Sequence, residues 1–368
     1  MANGSNLAML LLEDNQVARG LAWSFGILGI ISNIYVFMGK FRRCRRIFSR
    51  HKRTAPEYAV NDSTNDSKNK RVSVFFINNL AVADLLGSFY LLTIASADYH
   101  YHLQYSGNQN KYNYHSNQTI NTKSWRCKST LSTTLAPSVN GNLTIGAMWL
   151  QDPVCSIARL LITIDSFMSV LITFFIAIDR YITIIHHRSL YRITRRRAII
   201  IMAICWLVGI ACSTYIVIRS INTADNDTSS GTFRNLCMYG NLNDVPLQIF
   251  LFISIGLWSM SYLLVLVLYA KIIYHVRRVT LVKTRRITAE RYLLVIAVMI
   301  AFTNLACWLP AILIAMFKLL QLSIVESRSF MQIVPIGIFL LAINSAINPL
   351  IYSILSNKMC KRWVNTVK

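Results

Sequence analysis

Asp84 is a carboxylate in the middle of an apolar run, Val72 to Ala97. Asp179 and Arg180 stand side by side near the end of another such run, which begins at Cys155. An arginine at the centre of a membrane helix costs roughly 2.5–3.5 kcal/mol on insertion scales, so Arg180 needs a partner. Asp179 can neutralise it in one state, and a different group can take it in another. Farther along, Asn344 and Asn348 are four residues apart and share one face of a helix. A carboxylate with neutral oxygen donors and water suits a small hard cation. The competing reading is a structural hydrogen-bond network joining helices. Neither is covalent chemistry. No H-E-x-x-H metal spacing appears. His100, His102 and His115 fall in a polar loop, and His186-His187 follow the apolar run as interface residues.

These residues need membrane-crossing helices to hold them. About 20 residues at 1.5 Å rise span a ~30 Å hydrocarbon core. Runs of that length occur at about 17–38, 72–97, 153–185, 198–218, 246–273, 292–317 and 331–355. The sequence therefore predicts an all-α bundle of seven transmembrane helices forming a single domain. Of 368 residues, 54% are hydrophobic and only 14% charged, which is too apolar for an ordinary soluble domain. The net charge of +23 raises nucleic acid as a partner, but the distribution argues for a lipid bilayer instead. The segments after spans one, three, five and seven hold 27 of the 38 Lys and Arg residues. By the positive-inside rule this puts the N-terminus outside and the C-terminus inside.

The stretch Leu7 to Leu12 lacks the basic flank of a cleavable signal, so span one is expected to act as its own signal. Residues 106–146, rich in Tyr, Asn, Ser and Thr, read as a disordered insertion in the first outer loop. Asn117, Asn142 and Asn226 fit the glycosylation pattern on the outer side. Asn61 and Asn65 fit it too but fall on the inner side, where they are expected to stay bare. Basic residues after span seven predict a short amphipathic helix on the inner surface, and Cys360 there is either a palmitoylation site or a plain thiol. Cys205, Cys212 and Cys307 read as core packing. Cys155 and Cys237 both stand at outer ends in an oxidising compartment, which favours a disulfide between them. Cys127, in the long outer loop, is free, pairs with another molecule, or competes for Cys237.

Taken in order, these features resemble the rhodopsin-like G-protein-coupled receptors. The resemblance rests on Asn33, Leu80 and Asp84, Cys155, Asp179-Arg180-Tyr181, Trp206 and Tyr269. Cys307-Trp308-Leu309-Pro310 and the run Asn344 to Tyr352 complete it, each set in its own span. A narrower likeness is to the leucine-rich-repeat branch of glycoprotein-hormone and relaxin-type receptors. It is carried by Tyr90 to Asp98 and by Phe302-Thr303-Asn304, and span five lacks a mid-helix proline in both. Against it, no leucine-rich segment stands before span one. Phe167 also replaces the branch's acidic residue in span three, with Asp165 two positions earlier.

The resemblance implies roles. Asp84, Ser169, Asn344, Ser345 and Asn348 match the family's sodium pocket, with Asn33 linking spans one, two and seven, so a bound sodium ion is expected and no other cofactor. Glu290 matches the resting partner of Arg180; on activation Tyr269 and Tyr352 would turn toward Arg180. Trp308 beside Pro310 matches a lever under the ligand pocket, and Pro349 kinks span seven. The resemblance implies a plasma-membrane receptor that is not an enzyme, with an extracellular peptide or small-molecule ligand and a heterotrimeric G protein as partners. Ile162 stands where amine receptors carry an aspartate, and Ala342 where opsins carry a lysine, so neither ligand class is implied. Arg159 faces an anionic ligand or pairs with Asp98 or Asp152. The alternative of a transporter or channel would need internal repeats or broken helix pairs, which the sequence lacks.

Overall fold

Two helices of this chain begin where a small polar side chain holds a first-turn N–H group. In the computed structural model the third helix starts this way: Asp152 accepts from the backbone N–H of Val154 at 2.8 Å, and Pro153 opens the first turn. Thr194 caps the fourth by accepting from Arg197 N–H at 3.3 Å. The structure describes residues 16–38, 72–100, 149, 152–186, 193–223, 236–237, 244–279, 285–320, 337, 339–340 and 342–351.

The helices are α1 (Gln16–Phe37), α2 (Val72–His100), α3 (Pro153–Ile185), α4 (Arg195–Asn222), α5 (Val245–Val279) and α6 (Arg285–Leu319). Helical residues 342–351 belong to the seventh, α7. Six of these helices are long and apolar enough to cross a membrane. No strand occurs among the described residues. The fourth, fifth and sixth helices run past the apolar stretches read from sequence, because their basic and polar ends continue the helical hydrogen bonding beyond the hydrocarbon. The insertion at 106–146, Cys127, Asn117, Asn142, Asn226, Tyr352 and the basic tail lie outside the described residues.

α3 is the axis of the bundle. It packs against α4, α5 and α6. Of its most apolar window 67% is buried, against 28% in α4 and in α5. At 33 residues it reaches roughly 50 Å, more than a bilayer core, so both its ends serve the two surfaces. The outward sides of α4 and α5 carry Ile200, Leu207, Leu257 and Leu263, all exposed. In water such a surface would aggregate; against lipid tails it is the expected solvent-facing side.

Small residues let the helices approach where polar groups meet. A Cβ on Gly29 would strike the Ser88 hydroxyl, bringing α1 and α2 into backbone proximity. A Cβ on Gly87 would strike Ser345 Oγ and lie 2.5 Å from Asp165 Oδ2. Glycine is what allows α2, α3 and α7 to converge there.

Candidate functional site

At the end of α3 distal to the disulfide, Arg180 is only 2% exposed and its neighbour Asp179 is buried. Arg180 Nη2 donates to Asp179 Oδ2 at 2.7 Å, and its Nε donates to the same oxygen at 3.3 Å. Ser73, at the start of α2, donates to that oxygen at 2.8 Å and accepts from Arg180 Nη2. A buried cation with a carboxylate and a hydroxyl is thus locked between α2 and α3. Tyr269 of α5 is buried in the same inner apolar cluster as Ile176 and Ala177, and its hydroxyl has no hydrogen-bond partner. Tyr181 is half-buried and meets His186 edge-on at 5.6 Å. Glu290 lies within α6, with its side chain outside the described residues.

Midway along the bundle a polar cluster joins five helices. Asn348 Nδ2 donates to both oxygens of Asp84, at 3.2 and 3.3 Å. Asn33 Nδ2 donates to the carbonyls of Gly29 and Ser345, tying α1 to α7. Asn344 Nδ2 donates to Asn304 Oδ1 at 2.6 Å, and Ser169 Oγ donates to the same oxygen at 3.2 Å. Asn304 Nδ2 in turn donates to Thr173 Oγ1 at 2.7 Å. Ser345 Oγ donates to Asp165 Oδ2 at 3.1 Å. Asp84, Ser345, Asn304, Asn344, Asn348, Ser169 and Asp165 are all buried. Asn348 meets Asp84 and Asn33 meets the Ser345 carbonyl, whereas Asn344 bonds Asn304 and Ser345 Oγ bonds Asp165. Ser169 likewise donates to Asn304 and is linked to Asn344 through that shared oxygen.

Three residues of these two clusters were not read from sequence as site residues: Asn304 and Asp165 of the polar cluster, named only in the branch likeness, and Ser73 beside Arg180. Asn304 is four residues before Trp308, so the two share a face of α6; that spacing was the available signal. Asp165 is a carboxylate in an apolar run, a signal of the same kind as Asp84. Ser73 gave none, because a serine at a helix start is ordinary. Likewise Trp206, read only as a family marker, donates from Nε1 to Asn79 Oδ1 at 3.1 Å and clips α4 to α2.

Above the cluster, the buried ring of Trp308 meets Trp258 edge-on at 5.1 Å, and Trp258 meets Phe167 in the same way at 5.1 Å. Pro310 sits inside α6 two residues beyond, removing a backbone donor and permitting a bend. Pro349 is buried within the helical residues of α7. An aromatic chain therefore runs from α3 through α5 to the kinked part of α6.

At the disulfide end, Cys155 and Cys237 are bonded, with Cα atoms 5.4 Å apart. Cys237 adopts φ 51°, a left-handed backbone that a non-glycine residue holds only when its surroundings enforce it. The bond and a hydrogen bond from Tyr90 Oη to the Leu236 carbonyl, 2.8 Å, supply that enforcement. Asp98 pairs with Arg19 at 2.6 Å, and Asp152 accepts from the Val154 N–H at the start of α3. Arg159 is buried; its Nη2 approaches Cys155 Sγ at 3.9 Å and its Nε has no acceptor.

Residues 130–352 match the family model described as 7 transmembrane receptor (rhodopsin family), more than half of the chain. Relaxin receptor 1 of Homo sapiens is 22% identical over 221 residues, covering 56% of this chain and 27% of that protein. The G-protein coupled receptor GRL101 of Lymnaea stagnalis is 24% identical over 349 residues, 93% of this chain and 25% of that protein. A G-protein coupled receptor homolog of fowlpox virus, FPV027, is 24% identical over 213 residues, 55% of this chain and 60% of the viral protein. The chain thus spans about a quarter of the length of the relaxin and snail receptors it matches. The relaxin receptors agree with the branch to which the motifs of spans two and six point. With its helices, its disulfide and this match taken together, the chain is a multi-pass plasma-membrane protein that belongs to the rhodopsin family of seven-transmembrane receptors.

Proposed function

We propose that the chain transmits binding of an extracellular ligand to a heterotrimeric G protein through outward movement of α6. The observation that carries this reading is Arg180, a buried guanidinium held by Asp179 and Ser73 beside the unpartnered hydroxyl of Tyr269. A cation in that position has two sets of partners within reach, and a bistable contact of this kind is what a ligand can bias. At rest Glu290 adds a bond from α6 to Arg180. In the active state Tyr269 and Tyr352 take its place. Trp308 and Pro310 convert pressure from the outer pocket into the swing of α6. The polar cluster around Asp84 holds a hard cation that favours the resting packing; sodium is the ion that one carboxylate suits. The relaxin receptors among the relatives favour a peptide ligand, bound with the N-terminus outside. The protein itself performs no covalent chemistry.

A basal second-messenger panel in transfected cells tests this without a known ligand. Wild type raises the signal of at least one G-protein class above mock cells, Arg180→Ala abolishes that signal, and Glu290→Ala increases it at equal surface expression. Equal signals in wild type and Arg180→Ala would remove the reading.

A further inference from the structure

Arg159 stands one turn beyond Cys155 on α3 and is only 3% exposed. Arg19, Arg180 and Arg219 each pair with an aspartate, and Arg159 forms no ion pair among the described residues. Its Nε has no acceptor, and its Nη2 bond goes to Cys155 Sγ at 3.9 Å. That sulfur belongs to the disulfide with Cys237 and is a weak acceptor. A guanidinium in this state has lost water and gained no counter-charge, which costs stability. A structural brace has its acceptors in place. Arg180 shows that arrangement on the same helix, with a carboxylate and a hydroxyl on its guanidinium.

Position says what body a matching anion carries. Side chains on a helix lean toward its N-terminal end. The contact with Cys155 Sγ accordingly puts the guanidinium beneath the disulfide, where Leu236 and Cys237 are fully buried. Ile162 follows Arg159 by three residues and shares its face of α3. Ile162 is fully buried in the same apolar cluster as Tyr90, Trp149 and Trp308. One face of α3 thus offers a cation at the disulfide end and apolar, aromatic packing about 4.5 Å farther along. The Nε–H and Nη2 edge of a guanidinium is a planar fork of two donors, which matches the two oxygens of a carboxylate.

We propose that Arg159 anchors the carboxylate of an amphipathic acid whose apolar body lies along Ile162 toward Trp308. This rests on the reading that a ligand enters at the disulfide end, and it names the group that ligand presents. A free carboxylic acid and the carboxylate end of a peptide present the same two oxygens. Purified full-length chain in lipid nanodiscs is titrated with phenylacetate for the first source and N-acetylphenylalanine for the second, each beside its neutral amide, following the thermal midpoint. At millimolar concentration at least one acid raises the midpoint of wild type and its amide does not; the acid effective at the lower concentration assigns the source. In Arg159→Met the half-saturating concentration of that acid rises at least about tenfold through loss of charge-assisted bonds, and Arg159→Lys falls between the two. Without added acid, Arg159→Met melts no lower than wild type, since it removes a buried charge that nothing balances. Equal response of wild type to acid and amide, or response to neither, would overturn the proposal, and that comparison needs no variant. An acid-free Arg159→Met melting well below wild type would overturn it too, by making Arg159 a brace of α3. Binding is read here without a G protein, so a negative result leaves the Arg180 switch standing, and failure of that switch leaves this binding measurable.

Discussion

Ser73 shows how much a single hydroxyl can decide at the inner switch. It donates to Asp179 and accepts from Arg180, so it closes a three-residue ring that keeps the guanidinium paired. Ser73→Ala removes both bonds from buried charged groups, each of which costs about 1–3 kcal/mol when left unmade. Because the ring belongs to the acid-paired arrangement, its loss shifts the balance toward the alternative. We expect basal signalling of Ser73→Ala to rise several-fold over wild type at equal surface expression, read by the same second-messenger assay; an unchanged or lower baseline would argue against the ring. The buried pair Asp179 and Arg180 was legible in sequence because charges are rare in apolar runs and each announces itself. Ser73 was not, since its role depends on which helix start happens to lie beside α3. The disulfide partners were legible because Cys155 and Cys237 both stood at outer ends in an oxidising compartment, with Cys127 as the competing outer cysteine, whereas the left-handed backbone at Cys237 follows from tertiary restraint and leaves no local mark.

Among the helices, α3 and α6 are coupled through one amide. Asn304 accepts from Ser169 and Asn344 and donates to Thr173, so α6 is bonded simultaneously to α3 and α7. Trp308 above it packs edge-on against Trp258 of α5. Asn304→Leu would keep the side-chain size while stranding three buried polar groups, an expected loss on the order of 3 kcal/mol at about 1 kcal/mol per net bond. The variant should unfold at a lower temperature than wild type in nanodiscs and, if α6 is released as proposed, should signal more strongly without ligand. A stable variant with normal baseline would place the restraint on α6 elsewhere. Helix existence was readable from the length of the apolar runs, because a bilayer fixes that length. Helix ends were less so: α5 and α6 continue past the hydrocarbon into basic sequence that a hydropathy reading discards. Which helix is central was suggested by the polar markers crowded into α3, and the burial of its faces agrees.

Across the molecule, charge distribution rather than shape is the ground on which an orientation of the bundle is proposed. The segments following spans one, three, five and seven carry 27 of the 38 basic residues, and only nine lie in the segments on the other side. Basic residues near an anionic leaflet gain about 1 kcal/mol each, and loops rich in them resist translocation. An excess of this size leaves little room for the reverse insertion. With the N-terminus outside, as the charge distribution proposes, the disulfide between Cys155 and Cys237 would stand in the oxidising compartment and the Arg180 ring at the cytoplasmic face, so one arrangement would satisfy two independent chemical demands. An epitope placed before Gln16 should therefore be labelled by antibody on intact cells, while one placed after Lys368 should be labelled only once the membrane is permeabilised. Moving charge is the stronger form of the test. Replacing the basic residues between Lys40 and Arg71 with glutamine should weaken the preference and yield a mixed population in which some N-terminal epitopes become inaccessible. If the intact-cell label were instead found on the C-terminal epitope, ligand pocket and G-protein face would have to exchange places, and the disulfide would stand in a reducing compartment that does not sustain it.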